Sequence, residues 1–337
     1  RDLHSFPTRR SSDLEPVDYH GWTVWKTGVW GQGPLLLQAL RILEGTAIGE
    51  LDPNGPDFVH LVAETLKLAM ADREAYYGDP AHTEIPVDTL LSRQYAAERS
   101  ALLSAEASRE QRPGRIPGFE AWADAAIARA ARVPEVAAGA GAGEPTMAHL
   151  SSRRGDTVHL DVIDRWGNVV TATPSGGWLQ SSPVVPGLGM PLNTRGQMFW
   201  LDEGLPTSLA PGRRPRTTLS PSMAAHEDGR VLAFGTPGGD QQDQWQLSLF
   251  LHLVHHRLNL QEAIDAPLFH TGHAQGSFYP RVARPGHLMA EPAFGAKVLS
   301  ALRGKGHALE VSEPWAIGRL TAALREQGPV LDRKSVV

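Results

Sequence analysis

The pattern of apolar and polar positions changes character near residue 157. Before it, Phe58, Leu61, Val62, Leu66, Ala69 and Met70 recur at helical spacing and predict a long helix with Asp57 as its cap. That run continues through Asp72-Arg73-Glu74-Ala75-Tyr76-Tyr77 and stops at Gly78-Asp79-Pro80. Shorter helices are predicted over residues 35–44, closed by Gly45, and over residues 87–103. Residues 15–31, rich in Trp and Gly, read as strand plus loop. Residues 105–155 are Ala, Gly, Arg and Glu with little periodicity, which predicts a mobile linker. From residue 157 the pattern becomes strands and Gly/Pro turns: a buried strand, a turn at Trp166-Gly167-Asn168, and a second strand over residues 169–173. Two more strands, over 223–226 and 230–235, pair across Glu227-Asp228-Gly229. Helices are predicted over 244–256, 260–266 and 291–304, and irregular loops over 183–196 and 209–216. Strand pairs flanked by helices indicate a layered α/β domain.

Composition narrows the function classes. The 337 residues are 41% hydrophobic, which suits a globular core. A net charge of -5 with no Lys/Arg-rich run excludes a nucleic-acid binder. The absence of cysteine removes disulfides, a thiolate nucleophile and a Cys metal site, and leaves the compartment open. No apolar run reaches membrane-spanning length. His252, His255 and His256 share a helix without a Glu in the zinc pattern, so they are expected on its surface or at an interface. The basic loop Arg213-Arg214-Pro215-Arg216 is expected to be solvated. Residues 1–14 and 332–337 read as translated sequencing-adapter sequence and are set aside as foreign tails.

The candidate chemistry lies at the junction of linker and strand, Gly155-Asp156-Thr157-Val158-His159. A hydroxyl there becomes a nucleophile if the chain is cut just before it, because the new α-amine can serve as its base. With a pKa near ~8, such an amine accepts a proton near neutral pH without a histidine. Taken alone, Thr157 reads as an ordinary strand residue, and only the downstream motifs change that. Gly238-Gly239 follows a strand and precedes a helix, so its backbone N–H groups can approach an oxyanion; a tight turn is the plain alternative. Asp240-Gln241-Gln242-Asp243-Gln244 either lines a site or forms a cap and first helical turn.

The motifs Gly155-Asp156-Thr157-Val158-His159, Thr217-Thr218 before Ser220-Pro221, and Gly235-Thr236-Pro237-Gly238-Gly239 occur in the order seen in gamma-glutamyltransferases. Asp72-Arg73 and Tyr77-Gly78-Asp79-Pro80 resemble the end of that family's large subunit. The resemblance implies an N-terminal-nucleophile hydrolase, an α+β protein built as a four-layer αββα sandwich. It implies self-cleavage between Asp156 and Thr157, catalytic roles for Thr157, Ser175, Gly238 and Gly239, and no cofactor or metal. Residues 15–104 would then be the C-terminal part of a large-subunit region, 105–156 the linker to the cleavage point and 157–331 the small subunit. The two subunits of one precursor would stay associated. The substrate would be a small γ-glutamyl or related acyl amide, and the acceptor water or an amine. Thr217 and Thr218 match serines that hold the substrate's α-carboxylate, and Gln197-Met198 matches the family's Gln-Met. Trp200 stands where an aspartate grips the α-amino group, and Asp202 lies two residues later. Gly176-Gly177 replaces an asparagine. These departures resemble the acylase-like branch, which takes glutaryl side chains. A glutaryl or cephalosporin acylase is therefore the alternative, and an inactive piece of such an enzyme the second.

Overall fold

A computed structural model describes residues 14–132, 157–176, 184–193, 195–278, 281–326 and 331–335. The chain opens with a hairpin, β1 (Leu14–Tyr19) and β2 (Trp22–Thr27), which turns at His20 and Gly21, both with positive φ. Helix α1 (Pro34–Glu44) follows, then α2 (Pro56–Tyr76). The α2 N-cap is Gly55, with Pro56 in the first turn, where a missing N–H costs nothing. Asp57, the expected cap, is instead exposed in that turn and pairs with Lys305 at 2.8 Å. From Val62 to Tyr76 every α2 residue is buried, so this is a core helix and not a one-faced one.

The helix expected over 87–103 is two, α3 (Val87–Leu90) and α4 (Arg93–Ser100). Ser92 divides them, its side chain accepting from the Tyr95 N–H as an N-cap. The expected linker is ordered well past residue 105. Glu64 accepts from the Ser108 N–H, Tyr76 donates to the Gly114 carbonyl, and α5 (Glu120–Arg132) buries Ala123, Ala126 and Arg129. A face made of alanines carries a weak hydrophobic signal, which is why the pattern reads as unstructured. The remaining linker, 133–156, lies outside the described residues.

Beyond it come β3 (Leu160–Ile163), β4 (Val169–Ala172), the short pair β5 (Val184–Val185) and β6 (Met190–Pro191), then β7 (Ser222–His226) and β8 (Val231–Gly235). Helix α6 (Gln242–His255) and α7 (Leu260–Asp265) follow, the latter closed by an Asn259/Glu262 capping box. β9 (Phe269–Thr271), β10 (His287–Ala290), α8 (Gly295–Gly304), β11 (Ala308–Val311), β12 (Thr321–Arg325) and β13 (Leu331–Ser335) complete the chain. Leu14 and residues 332–335, set aside on sequence grounds, thus lie in strands. β13 is an edge strand, and an open edge pairs through backbone whatever the side chains.

The main sheet runs β1-β2-β7-β8-β12-β13, antiparallel throughout. Its two faces are told apart by β8. Phe234 stacks on Phe250 of α6, with ring centroids 5.8 Å apart, so that face carries the helices. Gly235 points the other way, where a β-carbon would collide with His159 beside β3. The β3–β4 hairpin therefore covers the opposite face, and Thr321 of β12 reaches it by donating to Asp161 at 3.0 Å. Helices, large sheet and the two-stranded piece of a second sheet stack as expected of the N-terminal-nucleophile fold, an α+β architecture. The hairpin's polarity is the reverse of the expected buried strand. His159 and Asp161 face the sheet, while Leu160, Val162 and Val170 are exposed.

Lys26, wholly buried on β2, ties the sheet to α6 through Asp243 at 2.8 Å and Gln246 Oε1 at 3.0 Å, and donates to Ser222 Oγ of β7 at 2.6 Å. Burial pushes both Lys26 and Asp243 toward neutrality, and each partner's charge opposes that. His252 is also a core residue, not a surface one, packed at 5.4 Å from Phe58; burial lowers its pKa to about 4.

Candidate active site

Thr157 sits at the mouth of the β3–β4 hairpin, held because the Val158 N–H donates to the Pro174 carbonyl. Its hydroxyl lies 2.6 Å from that of Ser175 across the hairpin, so the two share a hydrogen bond. Asp156, on the other side of the expected cleavage point, lies outside the described residues. Two positions on, His159 is fixed at both nitrogens. Nε2 donates to Asp161 Oδ1 at 3.0 Å, which leaves Nδ1 to accept from the Thr173 hydroxyl at 2.7 Å. The imidazole packs on Gly235, the last residue of β8, so the segment leading into β3 rests on the strand that leads to the paired glycines.

Those glycines take backbone shapes that other residues rarely adopt: φ is 137° at Gly238 and 58° at Gly239. A β-carbon on Gly238 would also strike the Trp245 ring. The turn is pinned from α1's approach, since Gln32 Nε2 donates to the Gly239 carbonyl at 3.0 Å. Thr217 donates its N–H to the Trp30 carbonyl, and its hydroxyl accepts from Leu219 in a local turn. Thr218 is fully buried and its hydroxyl has no partner among the described residues.

Gln197 accepts from Arg281 Nη2 at its backbone carbonyl, at 2.7 Å. Asp202 pairs with Arg132 at 3.1 Å on the surface. Trp200 carries two guanidinium groups, those of Arg129 at 4.8 Å and Arg281 at 4.1 Å. A surface cleft of about 450 Å³ opens beside Glu203, lined by Thr83, Trp122, Leu205, Leu209 and Arg213; Thr157 is not among its walls.

Two segments behave differently from expectation. Arg216 is not solvated: it is 2% exposed, pairs with Glu74 at 3.0 Å and donates to Ser277 at 2.9 Å. Burial lowers its pKa to about 10, against the pull of Glu74. Asp240, left open between site and cap, accepts from Arg73 at 2.6 Å and from the Ser277 N–H at 2.8 Å. Arg73 and Arg216 hold its carboxyl below the usual range even though it is buried. The ion network behind the glycine turn therefore joins α2, the 216–218 segment and the start of α6. Sequence reasoning missed Arg129 and Arg281, which stand in unpatterned stretches that give no signal.

His60, Glu64 and His307 bring possible metal-ligating atoms within 4.8 Å of one another. Glu64 is already paired with Lys67 and Arg112, and His60 Nδ1 bonds His307 Nε2 at 2.9 Å. With those cations alongside, the cluster reads as a hydrogen-bonded pair of imidazoles. No helix among the described residues is long and apolar enough to cross a membrane.

Comparison with known proteins agrees with this geometry. The chain is 33% identical over 291 residues to the acylase ACY 1 proenzyme of Pseudomonas sp. strain SE83, covering 86% of this chain and 44% of that one. It is 28% identical over 284 residues to a glutathione hydrolase proenzyme of Pseudomonas sp. strain A14, covering 80% and 43%. The solved structure of LmbA2991HD superposes with a TM-score of 0.80 at 50% identity, covering 93% of this chain and 52% of that one. The chain thus spans about half the length of the proteins it matches. The family description Gamma-glutamyltranspeptidase matches residues 1–333. This chain belongs to the gamma-glutamyltranspeptidase family.

Proposed function

We propose that the chain carries the nucleophile of a self-processing amidohydrolase or acyltransferase of γ-glutamyl-type amides. The observation that carries this is the pairing of Thr157 Oγ1 with Ser175 Oγ at 2.6 Å, on a strand resting against the glycine turn. In the precursor, Thr157 Oγ1 attacks the Asp156 carbonyl, and the peptide nitrogen leaves as the α-amine of Thr157. Water then hydrolyses the resulting ester. In the processed enzyme that amine takes the proton from Thr157 Oγ1 as the oxygen attacks the substrate amide carbon. N–H groups at Gly238 and Gly239 are suited to bind the oxyanion. The leaving amine departs with a proton, and water or a second amine resolves the acyl-Thr157 ester.

A second reading, an acylase acting on an acyl chain with no amino group, is favoured by Trp200. The residue where a carboxylate would hold an α-ammonium is an indole with two arginines on it. The relative named an acylase points the same way.

Intact mass under denaturing conditions tests the nucleophile. The wild-type chain is expected as two pieces that meet at Asp156–Thr157, and Thr157→Ala as one. Cleavage that persists in Thr157→Ala would reject the assignment.

A further inference from the structure

Side chains at alternate positions of the β3–β4 hairpin form a polar ladder on the face turned to the main sheet. The strand register sets Asp161 opposite Thr171. Two residues nearer the open end, His159 and Thr173 meet at 2.7 Å, and Thr157 and Ser175 make the next rung at 2.6 Å. The intervening Val158, Leu160, Val162 and Val170 are exposed on the outer face. A slip of one residue would turn the rungs to solvent and the apolar set to the sheet, so the polar rungs are what hold the register.

Asp161 fastens this ladder to the main sheet. Its Oδ1 accepts from His159 Nε2 at 3.0 Å along the hairpin, and its Oδ2 accepts from the Thr321 hydroxyl at 3.0 Å across to β12. Thr321 is the register partner of Gly235 on β8, and the His159 ring fills the space a β-carbon of Gly235 would take. The buried Asp161–His159 pair thus stands over the Thr321–Gly235 pair, three residues before Gly238 on the chain. We infer that Asp161 and Thr321 are positioning residues: through His159 they set the Thr157–Ser175 rung in register and in place against the Gly238-Gly239 turn. This rests on the reading of Thr157 as the nucleophile. Misplacing a reacting group by about 1 Å costs on the order of a hundred-fold in rate, so a bond four residues from Thr157 has consequence.

Amide hydrogen exchange and self-cleavage, followed on the same variants of the whole chain, test it. The Val158 N–H, bonded to the Pro174 carbonyl between the two outermost rungs, reports the register without any turnover. Thr321→Val keeps the side-chain volume and removes one hydroxyl, so folding is preserved; Asp161→Ala removes both bonds. Each is expected to speed Val158 exchange about ten-fold and to slow cleavage at Asp156–Thr157 by a similar factor. On an acyl anilide kcat should fall likewise with KM unchanged, whereas general loosening of the fold would move both. Asp161→Asn can keep both bonds, its amide oxygen accepting from His159 and its NH2 donating to a turned Thr321 hydroxyl. It should restore most of the exchange protection and of the cleavage rate. Wild-type Val158 protection in Thr321→Val overturns the inference, as does faster exchange with cleavage unaltered, or an Asp161→Asn no better than Asp161→Ala. If the wild type itself never cleaves, the nucleophile reading falls alone, and Val158 exchange in Thr321→Val decides the positioning.

Discussion

Ser175 shows how much one hydroxyl is asked to do. On the proposed reading, its bond to Thr157 Oγ1 fixes the direction of the attacking oxygen. A hydrogen bond of this kind is worth about 1–1.5 kcal/mol, or roughly ten-fold in rate if it is made at the transition state. Ser175→Ala is therefore expected to lower kcat about ten-fold, with KM near wild type. Steady-state kinetics with an activated acyl anilide checks this, and a change confined to KM would point to substrate binding instead. Thr157 and Gly238-Gly239 were picked out by the order of their motifs, and the structure places Thr157 at the open end of a hairpin and the glycines in a turn with positive φ. Arg216 was misread because a run of arginines in a Pro-rich loop looks solvated, and only the approach of Glu74 from α2 explains its burial. Asp240 was undecidable for the same reason, since its partner Arg73 is 167 residues away.

Elements were legible wherever apolar spacing was strong. The β7–β8 hairpin, α1, α6 and α7 fall within a few residues of expectation, and of the three helices α7 carries a side-chain cap, at Asn259. The misses share a cause, which is burial without bulky apolar residues. α5 packs through alanines, and β3 turns its imidazole and carboxylate inward because β12 offers Thr321 as a partner. The same principle joins β2 to α6 through a lysine. Removing one member of a fully buried pair leaves the other charge stranded, at a cost of about 3–5 kcal/mol. Lys26→Met should lose that much stability in denaturant unfolding, and the double change Lys26→Met with Asp243→Leu should recover most of it. A double variant no better than the single one would mean that the bonds to Ser222 and Gln246 dominate.

At the scale of the whole molecule, the core stores neutral imidazoles. His252, His270, His273, His287 and His307 are each 4% exposed or less. Burial, the leading cause in each, lowers the pKa to about 4 for His252 and His287 and to about 3 for His270, His273 and His307. In the unfolded chain each titrates near ~6.5. Between about pH 6.5 and the folded values of 3 to 4, the unfolded state therefore binds protons that the folded state refuses, and stability falls as pH falls. One such residue costs about 1.4 kcal/mol at pH 5.5, so several acting together make a steep acid limb. Unfolding temperature measured from pH 7.5 to 5 should drop progressively below pH 6.5. His252 is the cleanest probe, because neither ring nitrogen has a hydrogen-bond partner among the described residues and Phe58 packs against it. His252→Leu removes two buried polar atoms and one latent charge. It should match or exceed wild-type stability at pH 7.5 and gain on it as the pH falls. If the two curves stay parallel down to pH 5, His252 takes up its proton as readily folded as unfolded, and the acid limb comes from other groups.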